Sequence, residues 1–206
     1  MNTEMNSWST SLLEVLYSIQ GSGRFLATGQ VPLVLPGLSV NETGEVPFPI
    51  SPAEAQRLIT LAQPAPFGRG SETITDESVR KAWEIDAAVL AFHNPAWEAT
   101  LAHILQSVQT GLGLTQQGIE AQLYKLLIYE EGGFFLPHKD SEKAAGMFGT
   151  LIVALPSEHE GGTLHVRFGG EEEQVDFAPA TQQYQLPFAA FYADCEHEIE
   201  PVTSGY

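Results

Sequence analysis

The feature that most constrains the fold is a series of short, β-rich segments that begins after about residue 120. Turn-rich intervals separate these segments, and β-branched and aromatic residues are frequent within them. Many short strands at such spacing predict a sandwich or a barrel of the jelly-roll kind. The predicted strands are Gln122 to Tyr129, Phe148 to Leu155, Thr163 to Phe168, Glu173 to Phe177, Ala189 to Tyr192 and His197 to Val202.

The first 120 residues have a different sequence pattern, in which predicted helices alternate with loops rich in proline and glycine. Apolar residues recur at three- and four-residue steps over residues 11–19, which predicts a packing helix. An N-cap serine, a first-turn proline and a following glutamate predict a second helix from Ser51 to about Leu61. A third helix should run from about Pro95 to Thr110 and pack against a sheet. Its apolar face consists of Trp97, Leu101, Ile104 and Val108.

We therefore predict an α+β fold, with an N-terminal helical region at residues 1–120 packed on a jelly-roll core at residues 121–206. No internal repeat or low-complexity linker divides the two regions, so we expect them to share one hydrophobic core. The polar, glycine-bearing segment from Phe67 to Gly70 is a candidate active-site loop, with an ordinary surface loop as the alternative.

Composition excludes several classes of function. Cys195 is the only cysteine, so neither an intramolecular disulfide nor a cysteine-rich zinc site can form, and we expect a cytoplasmic protein. With 26 acidic and 9 basic residues, the chain has a net charge of −17 and should repel nucleic acid. No apolar run reaches the length of a membrane span. The oligomeric state cannot be read from the sequence.

Three residues form a candidate metal site. His138 and Asp140 follow the predicted strand Gln122 to Tyr129 through a predicted loop, EEGGFFLP. Alternation then points these two residues to one side, with Lys139 facing away. His197 lies 57 residues beyond Asp140 and can return beside the first pair in a barrel. Two imidazoles and one carboxylate on one face of an octahedral ion leave adjacent positions open, which is the arrangement that non-haem Fe(II) oxygenases use. A bare H-x-D tripeptide is common, so the surrounding sequence has to support this interpretation.

The surrounding sequence resembles the Fe(II)- and 2-oxoglutarate-dependent oxygenases of the prolyl 4-hydroxylase-like type, over roughly residues 122 to 206. The stretch YEEGGFFLPHKD, from Tyr129 to Asp140, is similar to the family's tyrosine, glycine and aromatic residues before H-x-D. TLIVAL from Thr150 resembles the next core strand, and EGGTL from Glu160 resembles the acidic double-glycine turn. FYADCEHEIEPVTSG from Phe191 is similar to the segment around the family's distal histidine.

The resemblance implies a double-stranded β-helix and a dioxygenase that uses Fe(II), 2-oxoglutarate and O2. It is also compatible with ascorbate as an accessory cofactor. It also implies that substrate hydroxylation is coupled to release of succinate and CO2, on a small molecule or a peptide side chain such as a peptidyl proline. His138, Asp140 and His197 would bind the iron. Tyr129 would hydrogen-bond 2-oxoglutarate, and Thr150 and Leu164 would line its pocket.

Two departures from the family pattern concern the binding of 2-oxoglutarate. The family places a basic residue about ten positions after the distal histidine, which would be position 207, whereas this sequence ends at Tyr206 and apparently lacks the family's final strand. Ala154 stands where many relatives have a tyrosine. Lys125, four residues before Tyr129 on the same predicted strand face, is a hypothetical substitute for the basic residue.

Two other functions remain open at this point. A metal-binding pseudoenzyme or interaction module would keep the barrel without the 2-oxoglutarate anchor. A cupin-like metalloenzyme would use the same barrel without 2-oxoglutarate, but such proteins generally bring three or four histidines to the metal. We expect His93, His103, His159 and His165 to be structural or exposed, and Cys195 to be a buried bystander.

Overall fold

The computed structural model describes residues 23–41, 44–69 and 72–206, so the helix predicted at residues 11–19 lies outside the described residues. The described chain is mostly β-sheet with few helices. Its strands are β1 (Leu26–Pro32), β2 (Leu38–Val40), β3 (Gln63–Pro64), β4 (Phe67–Arg69), β5 (Glu72–Ile74), β6 (Arg80–Lys81), β7 (Trp83–Asp86), β8 (Leu90–Phe92), β9 (Lys125–Ile128), β10 (Phe134–His138), β11 (Gly149–Val153), β12 (His159–Gly161), β13 (Leu164–Phe168), β14 (Glu171–Val175), β15 (Gln185–Tyr192), β16 (Glu196–Ile199) and β17 (Val202–Gly205).

The helices are α1 (Pro52–Leu61), α2 (Ala96–Gly111) and the short α3 (Ala178–Gln182). The predicted start of α1 is confirmed, because the side chain of Ser51 accepts a hydrogen bond from the backbone N–H of Glu54 at 3.2 Å. The predicted α2 is also confirmed to within one residue at each end. Among the described residues, no helix combines the length and the apolar character needed to cross a bilayer.

Two antiparallel sheets form the centre of the described fold. One has the order β1-β15-β11, and the other has the order β14-β13-β16-β10-β6. Strand β15 is buried over most of its length because it lies between two partners and has core residues on both faces. The buried stripe of α2, which includes Ile104 and Val108, packs against Ala27 of β1 and Phe188 of β15. The prediction that this helix packs on a sheet is therefore confirmed.

The first 120 residues differ from the predicted helical region. Their described part contains eight strands and only two helices longer than one turn. Several of these strands pair with partners far along the chain: β1 with β15, β6 with β10 and β7 with β9. Strands of two to four residues are too short to show alternation, so their extended conformation depends on pairing that the local sequence does not reveal.

Strand β10 is a second difference, because the sequence predicted a loop between Tyr129 and His138. Residues Phe134–His138 instead form a strand between β16 and β6. Phe135 pairs with Ile199 and His138 pairs with His197, so β10 has one residue more than β16 between these two pairs. Such a β-bulge re-aims side chains locally, and here it sets His138 directly opposite His197.

A charged network covers one face of β13. The side chain of His165 is 9% exposed, with its Nδ1 atom 2.7 Å from Glu172 Oε1 and its Nε2 atom 3.0 Å from Glu200 Oε1. The Nε2 contact lacks hydrogen-bond geometry, so we interpret it as ionic. Arg167 pairs with Glu172 and with Glu198. The hydrogen bond with Glu172 raises the pKa of His165 above its ordinary value of 6.5.

This raised pKa predicts a pH-dependent contribution to stability. Because folding raises the pKa of His165, its stabilisation should be fully present below about pH 6.5 and lost as the pH rises through the folded-state pKa. We expect the free-energy difference of unfolding between wild type and His165→Gln to shrink by about 1 kcal/mol between pH 5.5 and pH 8.5 in urea titrations. The exposed His103 on α2 gives the control, and His103→Gln should show no such change. A pH-independent difference for His165→Gln would contradict the prediction.

Candidate metal centre

His138, Asp140 and His197 meet at the end of the β10–β16 pair. Their ligand atoms lie within 4.8 Å of one another, and in the described part of the chain they are the one group of three such side chains. The Nε2 atom of His197 is 3.8 Å from Asp140 Oδ2, and the two imidazole rings are 4.1 Å apart between centroids. His197 is buried, whereas His138 and Asp140 are half-buried. The three side chains predicted as ligands therefore converge.

Backbone carbonyls orient both imidazoles. The Nδ1 atom of His138 is 2.9 Å from the carbonyl oxygen of Leu136, and that of His197 is 3.3 Å from the carbonyl oxygen of Cys195. When each Nδ1–H donates to its carbonyl, the lone pair of each Nε2 is left to bind a metal. Hydrogen bonds from the ring nitrogen that does not bind the metal fix the tautomer and the ring direction of metal-binding histidines. The donor set fits an ion such as Fe(II), which takes imidazole and carboxylate ligands together.

The electrostatics of the site keep the imidazoles neutral. Burial, followed by the charge of the neighbouring His197, lowers the pKa of His138 to about 4. Burial also lowers the pKa of His197, although the carboxylate of Asp140 opposes this shift. A neutral imidazole can bind a metal without first losing a proton. The site is therefore ready for a cation at neutral pH.

Thr150 supports the carboxylate ligand. Its Oγ1 atom donates a hydrogen bond to Asp140 Oδ2 at 2.5 Å, across the gap between β11 and the end of β10. The sequence predicted that Thr150 lines the 2-oxoglutarate pocket, and it does line the cavity at the site. Its contact with 2-oxoglutarate stays a prediction, while its contact with Asp140 was not anticipated.

We predict that Thr150→Val weakens Fe(II) binding by about 10- to 100-fold, because outer hydrogen bonds of metal ligands typically have effects of this size. Valine keeps the shape of threonine but cannot donate to Asp140. Metal titration of the metal-free protein measures the change. Thr150→Ser keeps the hydroxyl and should retain most of the affinity. Equal affinities for the valine and serine variants would show that the hydrogen bond does not support the metal site.

The site opens into a cavity of roughly 600 Å³, which suits a small-molecule ligand. Phe67 and Gly68 line it, so part of the predicted active-site loop does reach the site, as the start of the β4–β5 pair. Tyr129 lines it from the end of β9. Burial raises the pKa of Tyr129, against the opposing charge of Arg80. The phenol is therefore protonated at neutral pH and able to donate a hydrogen bond.

Leu164 has a different position from the one predicted. It is fully buried in the cluster that contains Val166 and Phe191, and it is not among the described residues that line the cavity. This position gives Leu164 a packing role behind the site. Its contact with 2-oxoglutarate stays a prediction that the geometry does not favour.

Two residues of the site were missed by sequence reasoning. The ring of Phe135 stacks on His138 with 3.4 Å between centroids, and the guanidinium carbon of Arg80 lies 4.3 Å from the centroid of the Phe135 ring. Phe135 belongs to the aromatic pair before H-x-D, so its proximity to the metal ligands was a usable signal. Arg80 lies in a polar stretch without any motif, and its place at the site follows only from the pairing of β6 with β10.

The other histidines and the cysteine do not join the metal ligands. His93 contacts the hydroxyl of Ser39 at 2.8 Å, and His159 contacts that of Ser157 at 3.1 Å. Cys195 is fully buried, as predicted, and burial raises the pKa of its thiol. Because only two histidines join Asp140, the cluster does not have the three or four histidines typical of cupins.

Comparison with known proteins gives an independent result. Residues 124–206 match the family model of the 2OG-Fe(II) oxygenase superfamily. The chain is also similar to a crystal structure of a prolyl-4-hydroxylase from Pseudomonas putida, with 19% sequence identity, coverage of 95% of this chain and 93% of that chain, and a TM-score of 0.49. No curated protein matches the chain. The family match agrees with the resemblance predicted over residues 122 to 206. Residues 124–206 are therefore similar to the 2OG-Fe(II) oxygenase superfamily.

Proposed function

We propose that the chain is an Fe(II)- and 2-oxoglutarate-dependent dioxygenase that hydroxylates a substrate and releases succinate and CO2. The single observation that carries this proposal is the convergence of His138, Asp140 and His197 at the wall of a cavity. Two neutral imidazoles and one carboxylate leave open positions on a bound ion for a co-substrate and O2. When bound, the iron supplies the oxidative chemistry, and the protein supplies binding and orientation.

The residues around the ion have separable roles in this proposal. His138, Asp140 and His197 hold the metal, and Thr150 fixes the carboxylate of Asp140 through its hydroxyl. Tyr129 keeps its proton and donates a hydrogen bond to the co-substrate. The half-buried apolar side chains of β11 line the cavity and limit the access of water to the reacting groups.

The substrate class is a further part of the proposal. We infer a small molecule or a peptide side chain, including a peptidyl proline, because the cavity is large enough for a side chain beside 2-oxoglutarate. We also propose that the two central sheets are the two halves of a double-stranded β-helix, or jelly roll. The cytoplasmic location, the role of ascorbate and the absence of nucleic-acid and membrane partners stay predictions from the sequence.

Anaerobic titration of the Fe(II)-loaded protein with 2-oxoglutarate tests the proposed function. Chelation of the co-substrate should produce a visible metal-to-ligand charge-transfer band, and admission of O2 should yield succinate. Succinate formed without added substrate reports uncoupled turnover, so the test does not require the substrate to be known. Stoichiometric iron without any band would contradict the proposal and support the metal-binding module instead.

A further inference from the structure

Arg80 is a buried cation in the wall of the cavity. It is 7% exposed, and its Nη1 atom donates a hydrogen bond to the carbonyl oxygen of Pro66 at 2.7 Å. Its guanidinium lies over the ring of Phe135, at 4.3 Å from the centroid. Its Nε atom is buried and has no hydrogen-bond partner among the described residues. The side chain therefore retains unused donor capacity next to the cavity.

The charge of Arg80 is also uncompensated. No carboxylate of the described residues lies within 4 Å of its guanidinium nitrogens. A buried charge normally has a counter-charge, because removal from water costs several kcal/mol. Contact with an aromatic face offsets only about 1 to 2 kcal/mol of that cost. An anion that enters the cavity would supply the missing partner.

Lys125 provides the contrast. It also lines the cavity, and its side chain is only 15% exposed. However, its ammonium group already pairs with the carboxylate of Glu84 and lies over the ring of Tyr124. The hypothesis that Lys125 serves as the basic anchor therefore receives less support than the same role for Arg80.

The distribution of charge in the cavity points to an anionic ligand. Among the described residues, four basic and two acidic residues line the cavity, although the full sequence has 9 basic and 26 acidic residues. A chain with a net charge of −17 thus places an excess of positive charge at this site. The basic residues are Arg80, Lys125, Lys139 and Lys143, and the acidic residues are Glu84 and Asp140.

Arg80 also lies close to the metal ligands. Phe135 contacts both the guanidinium of Arg80 and the ring of His138. Tyr129 lines the same cavity as Arg80 and the metal ligands. An anion bound to Arg80 would therefore occupy the part of the cavity next to Tyr129 and the metal.

We propose that Arg80 binds a carboxylate of 2-oxoglutarate in this cavity. This inference rests on the proposed function. Arginine suits the role because its planar fork can donate two parallel hydrogen bonds to one carboxylate. The residue comes from β6, outside the segment 124–206 that matches the family model, so the N-terminal part of the chain would complete the co-substrate site.

Anaerobic calorimetric titration of the Mn(II)-loaded protein with 2-oxoglutarate tests the inference. Arg80→Gln keeps a donor for the Pro66 carbonyl but removes the charge, and it should weaken 2-oxoglutarate binding by about 10- to 100-fold. Arg80→Lys keeps the charge without the fork and should lose less affinity than Arg80→Gln. The matched control is Lys81→Gln, because Lys81 neighbours Arg80 on β6 but does not line the cavity, and this variant should change the affinity by no more than about twofold.

Titration with a second ligand shows which of the two carboxylates of 2-oxoglutarate Arg80 binds. In 2-oxopentanoate, a methyl group replaces the distal carboxylate of 2-oxoglutarate. A loss in Arg80→Gln that is confined to 2-oxoglutarate would assign the distal carboxylate to Arg80. An equal loss for both ligands would assign the carboxylate next to the keto group. Either result supports the proposal, provided that Mn(II) affinity and the thermal midpoint of the variant remain close to those of wild type.

Retention of 2-oxoglutarate affinity within about twofold of wild type in Arg80→Gln would overturn the inference. If Arg80→Gln does not fold, Arg80→Met, which also removes the charge, decides by the same criterion. Failure of the proposed function gives a different result, because then the wild-type protein would bind Mn(II) but not 2-oxoglutarate.

Discussion

Replacing His197 with alanine should lower Fe(II) affinity by at least about 100-fold and eliminate succinate formation from 2-oxoglutarate. Loss of an outer partner of a metal ligand typically costs about 10- to 100-fold in affinity, so loss of a ligand itself should cost at least as much. His197 is 6% exposed and lies on β16, held in register with His138. No other histidine of the described residues joins the cluster, so none can replace His197 as a metal ligand.

His103→Ala is the matched control for this prediction. His103 is exposed on α2 and lies outside the metal cluster, so its removal should leave both metal affinity and succinate formation unchanged. Iron titration and a succinate assay of the two variants provide the comparison. If His197→Ala still binds Fe(II) with wild-type affinity, the assignment of the metal ligands is wrong.

The metal ligands could be predicted from the sequence because their chemistry is local. An H-x-D tripeptide on an extended segment places two donors on one side, and the family resemblance identified His197 as the third. The reason that the three meet could not be predicted. It depends on the register of β10 against β16 and on the bulge between them, which are properties of the pair rather than of either strand.

The missed strand β10 has a physical explanation of the same kind. Pro137 lies within it and cannot donate a hydrogen bond to a neighbouring strand, so the sequence favoured a loop. In the structure, Pro137 falls in the irregular stretch between the pairs formed by Phe135 and His138. A proline is tolerated there because the ladder is already interrupted.

In the N-terminal region, local sequence patterns predict some elements of secondary structure and miss others. The α1 helix was predictable because the N-cap of Ser51 and the proline after it are local signals. Strand β6 contains only Arg80 and Lys81 and exists because it pairs with β10. The role proposed for Arg80 was therefore invisible in the sequence, since it depends on a contact with residues more than 50 positions away.

Replacing Phe188 with alanine should destabilise the protein by about 3 to 5 kcal/mol. Phe188 is 2% exposed on β15, and it packs with Ala27, Ile104 and Val108 between the sheet and α2. Its ring lies so close to Gly29 of β1 that a Cβ atom there would be 2.6 Å from it. Strand β15 is hydrogen-bonded on both sides, so its backbone cannot move to fill the cavity that alanine would leave.

Urea denaturation of the metal-free protein measures this loss without interference from ligand binding. Phe168→Ala provides the matched control, because Phe168 is 45% exposed at the end of β13 and its truncation should cost less than about 1 kcal/mol. Stabilities of 5 to 15 kcal/mol are typical of folded domains, so a loss of about 3 to 5 kcal/mol would consume a large part of the total. A cost for Phe188→Ala no greater than that of Phe168→Ala would mean that α2 does not pack on β15 as described. If the large difference is found, the packing of α2 against the β1-β15-β11 sheet is a main source of stability for the fold that carries the metal site.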